Sequence, residues 1–171
     1  MKKFLQFAGL IGAVLAIIAF ILMMATNAIV STGAINGYYG GTAVIFGKGP
    51  VSAAGLSGDF DGKLAWVALI SWIFVLISIL MLLCLFVLGL LKVKAVAKFE
   101  RLLTFIAGGL LIAGGILLFF SIPAFFAAND LGDPNDAKVA LGAGWVIAAI
   151  IQIVAGGIAI LPPVLSLVGK K

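Results

Sequence analysis

The stretch LAWVALISWIFVLISILMLLCLFVLGLL, residues 64–91, decides the fold. It contains no Asp, Glu, Lys or Arg, and its polar residues, Ser71 and Ser78, are too sparse to make a water-facing stripe. Charge-free apolar runs of about 18 residues or more mark helices that cross a bilayer.

Three further runs share the property: Phe4 to Ile29, Leu102 to Ala128 and Val139 to Leu161. At ~1.5 Å per residue the shortest reaches roughly 33 Å, enough for a hydrocarbon core of about 30 Å. The longer ones must tilt or project into the headgroups. The expected fold class is an all-α membrane protein, a four-helix transmembrane bundle with a small extracellular β-hairpin-like loop. As a single membrane domain over 1–171, it would have spans at 4–29, 64–91, 102–128 and 139–161, outer loops at 30–63 and 129–138, a cytoplasmic loop at 92–101 and a tail at 162–171.

Composition agrees: 64% of the 171 residues are hydrophobic and 10% charged, against roughly 45–50% and about 25% in an ordinary soluble domain. Lys2 and Lys3 ahead of the first run, with Ala28 as a small residue, resemble a signal peptide. The run is much longer than the 7–15 residues of a signal core, so the first helix is expected to be retained.

Basic residues are held on the cytoplasmic side of a membrane. Lys2, Lys3, Lys92, Lys94, Lys98, Arg101, Lys170 and Lys171 fall at the termini and the middle loop, and only Lys48, Lys63 and Lys138 in the other two loops. The expected localisation is the cell membrane, multi-pass, with both termini cytoplasmic. Asp59, Asp61, Asp130, Asp133 and Asp136 then lie outside and Glu100 inside. The net charge of +5 reads as attraction to anionic headgroups, with Lys92, Lys94, Lys98 and Arg101 as the lipid-facing set at about 1 kcal/mol each. Nucleic acid is not expected as a partner.

The two helical hairpins are loosely alike. Phe7-Ala-Gly and Phe105-Ile-Ala-Gly open the first helix of each, and Trp66-Val and Trp145-Val the second; internal duplication and coincidence both account for this. In the first outer loop Asn36-Gly37, Gly40-Gly41 and Gly47-Lys-Gly-Pro50 are turn signals around a β-rich run, Thr42-Ala-Val-Ile-Phe46. They suggest a short hairpin, the other reading being a flexible Gly-rich connector. In the second loop Asn135 or Asp136 is placed to cap the fourth helix. Pro162 and Pro163 are expected to end it.

The chain has no His, which removes the commonest general base and metal ligand. Cys84 is alone and deep in the second run, so it reads as a packing residue with no redox partner. No acid or base lies inside a span, where ion-coupled transporters usually carry one. The aspartates Asp59-Phe-Asp61-Gly62 miss the EF-hand spacing, because its glycine would fall at Leu64 and its closing glutamate at Ile70. A looser cation site between the two loops and solvated turn residues are the alternatives. No cofactor and no catalytic residue are expected.

Gln152 is the exception among the spans, midway along the fourth and in line with Gly144, Ala148 and Gly156 at i,i+4 spacing. A polar side chain in a stripe of small residues suits close helix packing, with lining of a polar pore as the other reading. Gly109 and Ala113 are the matching candidates on the third span. Trp66, Trp72 and Trp145, with Tyr38 and Tyr39, read as an interface belt, Trp72 lying deep enough to fill the bundle instead.

A long first outer loop, a short second one and four spans resemble the claudin-type tetraspan layout. That family's first loop carries a tryptophan, a Gly-Leu-Trp and two cysteines, and none occurs between Val30 and Lys63. The Lys-Lys start, the Gly40-Gly-Thr-Ala-Val-Ile-Phe-Gly47 loop and Leu141-Gly-Ala-Gly144 are similar to small uncharacterised four-span proteins of Gram-positive bacteria and their mycoplasma-like relatives. The resemblance implies no activity. The expected role is a structural or accessory membrane protein, not an enzyme, working through contacts with itself as a homo-oligomer or with a membrane-protein partner. The alternative is a channel or transport subunit.

Overall fold

The computed structural model describes residues 2–32, 37–91 and 99–168. In chain order the elements are α1 (Lys2–Ala25), β1 (Asn27–Ser31), β2 (Gly37–Gly40), α2 (Gly41–Phe46), β3 (Lys48–Ala53), β4 (Leu56–Asp61), α3 (Trp66–Leu90), α4 (Glu100–Leu118), α5 (Ser121–Ala128), β5 (Val139–Leu141) and α6 (Ala143–Val168). The four long helices, α1, α3, α4 and α6, are each long and apolar enough to cross a membrane.

Each long helix packs on two neighbours, in the ring α1–α3–α4–α6, with little contact between α1 and α4 across the diagonal. The bundle is inverted relative to a soluble protein. Its centre is rich in small residues, with Ala13, Ala16 and Ala19 of α1 and Ala148, Ala155 and Ala159 of α6 fully buried beside a few large ones such as Met23, Leu82 and Leu111. Its flanks carry the large apolar side chains, Ile11, Ile18, Ile73, Leu80 and Ile150 among them. Lipid tails are as apolar as Leu, so nothing drives large side chains inward. Close backbone approach through small residues holds such helices together instead. This is the build of a multi-pass helical membrane protein.

The α4 sequence shows how. Ala107-Gly108 and Gly114-Gly115 are two small pairs seven residues apart, so each pair returns to nearly the same face after two turns. The first member of each pair meets α3: the Ser78 hydroxyl donates to the Ala107 carbonyl at 3.0 Å and the Ser71 hydroxyl to the Gly114 carbonyl at 2.9 Å. The second member meets α6. A Cβ on Gly108 would stand 2.8 Å from the Gly156 carbonyl oxygen, and one on Gly115 2.7 Å from that of Ala149.

The helix ends depart from the charge-free runs. Asn27, Ala28 and Ile29 leave α1 to form β1. The third run is two helices, broken at Phe119 and Phe120. Pro123 explains the break. In a continuous helix its ring would collide with the Phe119 carbonyl, whereas a restart at Ser121 places it in a first turn, where its missing N–H costs nothing. Pro162 and Pro163 were expected to stop the last helix, yet α6 continues through them to Val168. Both prolines are buried, and proline inside a packed membrane helix bends it without ending it.

One end of the bundle is covered by a single antiparallel sheet in the order β4-β3-β2-β1-β5. Four strands come from the long first loop. The fifth follows the second loop, at residues expected to open the fourth span, and pairs Ile29 with Leu141 and Ser31 with Val139. The hairpin expected in the first loop is therefore part of a larger sheet, and its position differs. β3 and β4 are joined by Ala54-Gly55, with Ala53 opposite Leu56. Both turn residues have positive φ, 54° and 81°, the type I′ geometry that matches strand twist.

The run Thr42–Phe46, expected as a strand, is helical. Ala43, Val44 and Ile45 are fully buried, and burial of three consecutive side chains suits a helix turn plugging the bundle end better than an alternating strand. Gly47, left-handed at φ 75°, stops the helix by returning its N–H to the Ala43 carbonyl. Asn135 and Asp136 do not cap α6, which begins only at Ala143 after β5 intervenes; the Asn135 N–H is instead bonded to the Asp133 carboxylate at 2.8 Å.

Candidate functional site

The chemistry-bearing residues gather in two places, the centre of the bundle and the face of the sheet that looks onto α5. At the centre, Gln152 is fully buried. Its Nε2 donates to the Met23 sulfur at 3.2 Å, a weak acceptor. Its Oε1 has no hydrogen-bond partner and faces Gly114, whose absent Cβ would lie 2.9 Å from it. Ala148 is buried one turn before it and Gly156 packs on Gly108 one turn after. Gly144 meets the Thr26 side chain at the end of α1, so it serves the junction of helix and sheet.

On α4 the sequence pointed to Gly109 and Ala113. Gly109 has open space beside it and Ala113 is only half-buried; the tight contacts belong to Gly108, Gly114 and Gly115. Ser71 and Ser78 are fully buried; the Ser71 hydroxyl is given to an α4 carbonyl, and that of Ser78 is shared between the Phe74 carbonyl of its own helix at 2.8 Å and Ala107 of α4. Cys84, expected to pack, is exposed on the flank of α3. Of the basic set, Lys92, Lys94 and Lys98 lie outside the described residues, and Arg101 is exposed in the first turn of α4.

The expected aromatic belt splits. Trp66 is 67% exposed beside the sheet end, but Trp145 is fully buried. Its indole N–H donates to the Met23 carbonyl at 3.0 Å, satisfying an acceptor left free where α1 ends. Trp72 fills the bundle against Phe20 and Phe46, with ring centroids 5.6 and 5.3 Å away. Tyr39 belongs to a cluster with Phe60 and Phe125, at 5.4 and 5.0 Å, that fastens the sheet to α5.

The two loops are also held by Asn129, which sequence reasoning passed over. Its Oδ1 accepts from the Lys63 N–H at 2.7 Å, and its Nδ2 donates to the Lys63 and Phe125 carbonyls at 2.8 and 3.0 Å. Nearby, Lys63 and Asp130 form an exposed ion pair at 3.6 Å, a contact of little energetic weight. The outer aspartates do not converge: among the described residues no three acids, cysteines or histidines are grouped to hold a metal.

Between the sheet and the second loop lies a recess of about 290 Å³. Tyr38, Tyr39, Val51 and Ser52 line it from the sheet, and Phe126, Leu131 and Val139 from the other side. Its walls are mostly apolar, with hydroxyl-bearing residues at Ser31, Tyr38, Tyr39 and Ser52, and no charged residue among the described ones lines it. Its volume, at the lower limit of small-ligand sites, suits one neutral apolar group. The chain matches no protein-family model and no curated protein.

Proposed function

We propose that this is an accessory protein of the cell membrane that works through its outer sheet, with the recess receiving an apolar side chain of a neighbouring membrane protein or of a second copy. The recess carries the reading: both loops contribute to it, and it is a concave, amphipathic feature at the sheet end. The lysine and arginine distribution supports placing the sheet outside and both termini in the cytoplasm. The rest of the chain is a scaffold without acid–base machinery, and no enzymatic activity is proposed. The resemblance to claudin-type tetraspans and to four-span bacterial proteins is one of layout.

The alternative, a channel or transport subunit, has less support. Gln152, Ser71 and Ser78 point into their own bundle, where Met23 and the glycines fill the space. An oligomer of such bundles would line its central path with the apolar flanks. Contact through the small outward positions Gly109 and Ala113 is compatible with an accessory role.

Cross-linking in native membranes followed by purification in mild detergent tests the reading. A discrete adduct is expected from the wild-type chain and its loss from Ser52→Trp, which fills the recess. Recovery of monomer alone from both chains contradicts it.

A further inference from the structure

β4 is an outer strand of the sheet, paired with β3 on one side and with no strand among the described residues on the other. The pairing pattern decides which of its backbone groups are open. Ala54-Gly55 is a two-residue turn, so Ala53 and Leu56, which flank it, exchange both N–H to C=O bonds. Alternation then makes Val51 with Gly58, and Gly49 with Phe60, the next bonded pairs. Pro50, which has no N–H to give, falls opposite Asp59 in a pair that exchanges none. Ser57, Asp59 and Asp61 therefore turn their N–H and C=O groups outward.

Such an edge is a template for a further strand, and sheets commonly blunt it with proline, lysine or a bulge. β4, Leu-Ser-Gly-Asp-Phe-Asp, has none of these, and its register with β3 is unbroken from Leu56 to Asp61. It is exposed along nearly its whole length. Side chains alternate between the two faces of a strand. Phe60 is turned towards Tyr39 and Phe125, so Leu56 and Gly58 share the face that looks onto α5, and Ser57, Asp59 and Asp61 share the opposite one. Leu56 is 79% exposed, and there is open space beside Gly58.

Charge selects what fits. Asp61 forms an exposed ion pair with Lys48 at 3.6 Å, and Asp59 has no ion pair among the described residues. A second copy is disfavoured. In the antiparallel register that uses all three open residues, Asp59 stands opposite its own counterpart, and like charges directly opposite destabilise a sheet. A strand with basic residues on that face meets both aspartates with opposite charge. We propose that β4 is a docking edge for an extended, basic segment of a partner protein, added as an antiparallel strand. Lys or Arg of that segment stands opposite Asp59 and Asp61, and an apolar side chain opposite Gly58 fills the space beside Leu56. β4 contributes no residue to the recess, so the two surfaces stand or fall separately.

The test adds the peptide Thr-Lys-Val-Lys-Val-Lys-Thr to the full chain in mild detergent and follows amide exchange residue by residue by NMR. In the free chain the N–H groups of Ser57, Asp59 and Asp61 should exchange fast, and those of Gly58 and Phe60 slowly. The peptide should slow the first three and leave the other two unchanged. A peptide with Glu in place of Lys should bind about tenfold more weakly. N-methylation of alternate peptide amides keeps every charge but removes strand bonds, and should abolish the slowing. Asp59→Lys, a change at an exposed position, should bring the Lys and Glu peptides level. The proposal is overturned if the Lys peptide leaves the three amides unprotected, or if the Glu or methylated peptide protects them equally well. It is also overturned if protein concentration alone protects these amides, which would place a second copy on the edge.

Discussion

The Ser71 hydroxyl reaches from α3 to the Gly114 carbonyl on α4 at 2.9 Å, and one heptad along each helix Ser78 makes the same contact with Ala107 at 3.0 Å. The two bonds set the antiparallel register of α3 and α4, while the missing side chain at position 114 makes room for the Gln152 amide of α6, whose Oε1 would lie 2.9 Å from a Cβ there. Interhelical bonds of this kind contribute about 0.6 kcal/mol each in a membrane, and at most about 1.7. Ser71→Ala and Ser78→Ala should therefore each lower the stability of the folded bundle by roughly that amount, measured by unfolding in mixed micelles. Gly156→Val, which forces a side chain onto the Gly108 carbonyl, should cost several times more.

Gln152 is a buried amide whose oxygen has no hydrogen-bond partner and whose nitrogen meets only the Met23 sulfur. A buried acceptor without a donor is unfavourable, and replacing a polar group that lacks good partners with an apolar one of similar shape is neutral or stabilising. Gln152→Met should leave the unfolding temperature unchanged or raise it. A fall of several degrees would show that the amide oxygen has a partner, such as an ordered water.

Ala54 occupies the left-handed region at φ 54° in the turn between β3 and β4. Asn tolerates that conformation better, and Asn-Gly is the preferred pair for this turn. Ala54→Asn should stabilise the β3–β4 hairpin by a few tenths of a kcal/mol, roughly, and slow amide exchange across the hairpin. Ala54→Val, with a branched side chain where φ is positive, should do the reverse.

Sheet formation by both loops predicts a cross-link. Ser31 and Val139 face each other between β1 and β5, a spacing that suits a disulfide. With Cys84 changed to Ser, the Ser31→Cys, Val139→Cys pair should oxidise to an intramolecular bridge, seen as a reducible shift in gel mobility. Moving the second cysteine to Asp133 should abolish it.

Much of this was legible in the sequence, for physical reasons that also mark where legibility ends. The spans show because a membrane helix must be apolar on its whole circumference, so run length alone betrays residues 64–91. That the third span packs through small residues also shows, but the sequence pointed to Gly109 and Ala113, and only the structure moves the contacts to Gly108, Gly114 and Gly115. Pro123 was a visible signal for a broken third span. Thr42–Phe46 misleads because its branched residues favour a strand, and only burial against the ends of α1 and α3 makes it helical. Trp145 was misplaced at the interface and Asn129 passed over because their partners, Met23 and Lys63, lie 122 and 66 residues away in the chain. No local pattern encodes such contacts.

That the sheet recess is the working surface, and the bundle its support, is tested most directly by a photoreactive residue. With p-benzoylphenylalanine in place of Tyr38, illumination of intact membranes should give a discrete protein adduct, absent when the same residue replaces Ile18 on the flank of α1. Adducts of equal yield at both positions, or none at Tyr38, would contradict it.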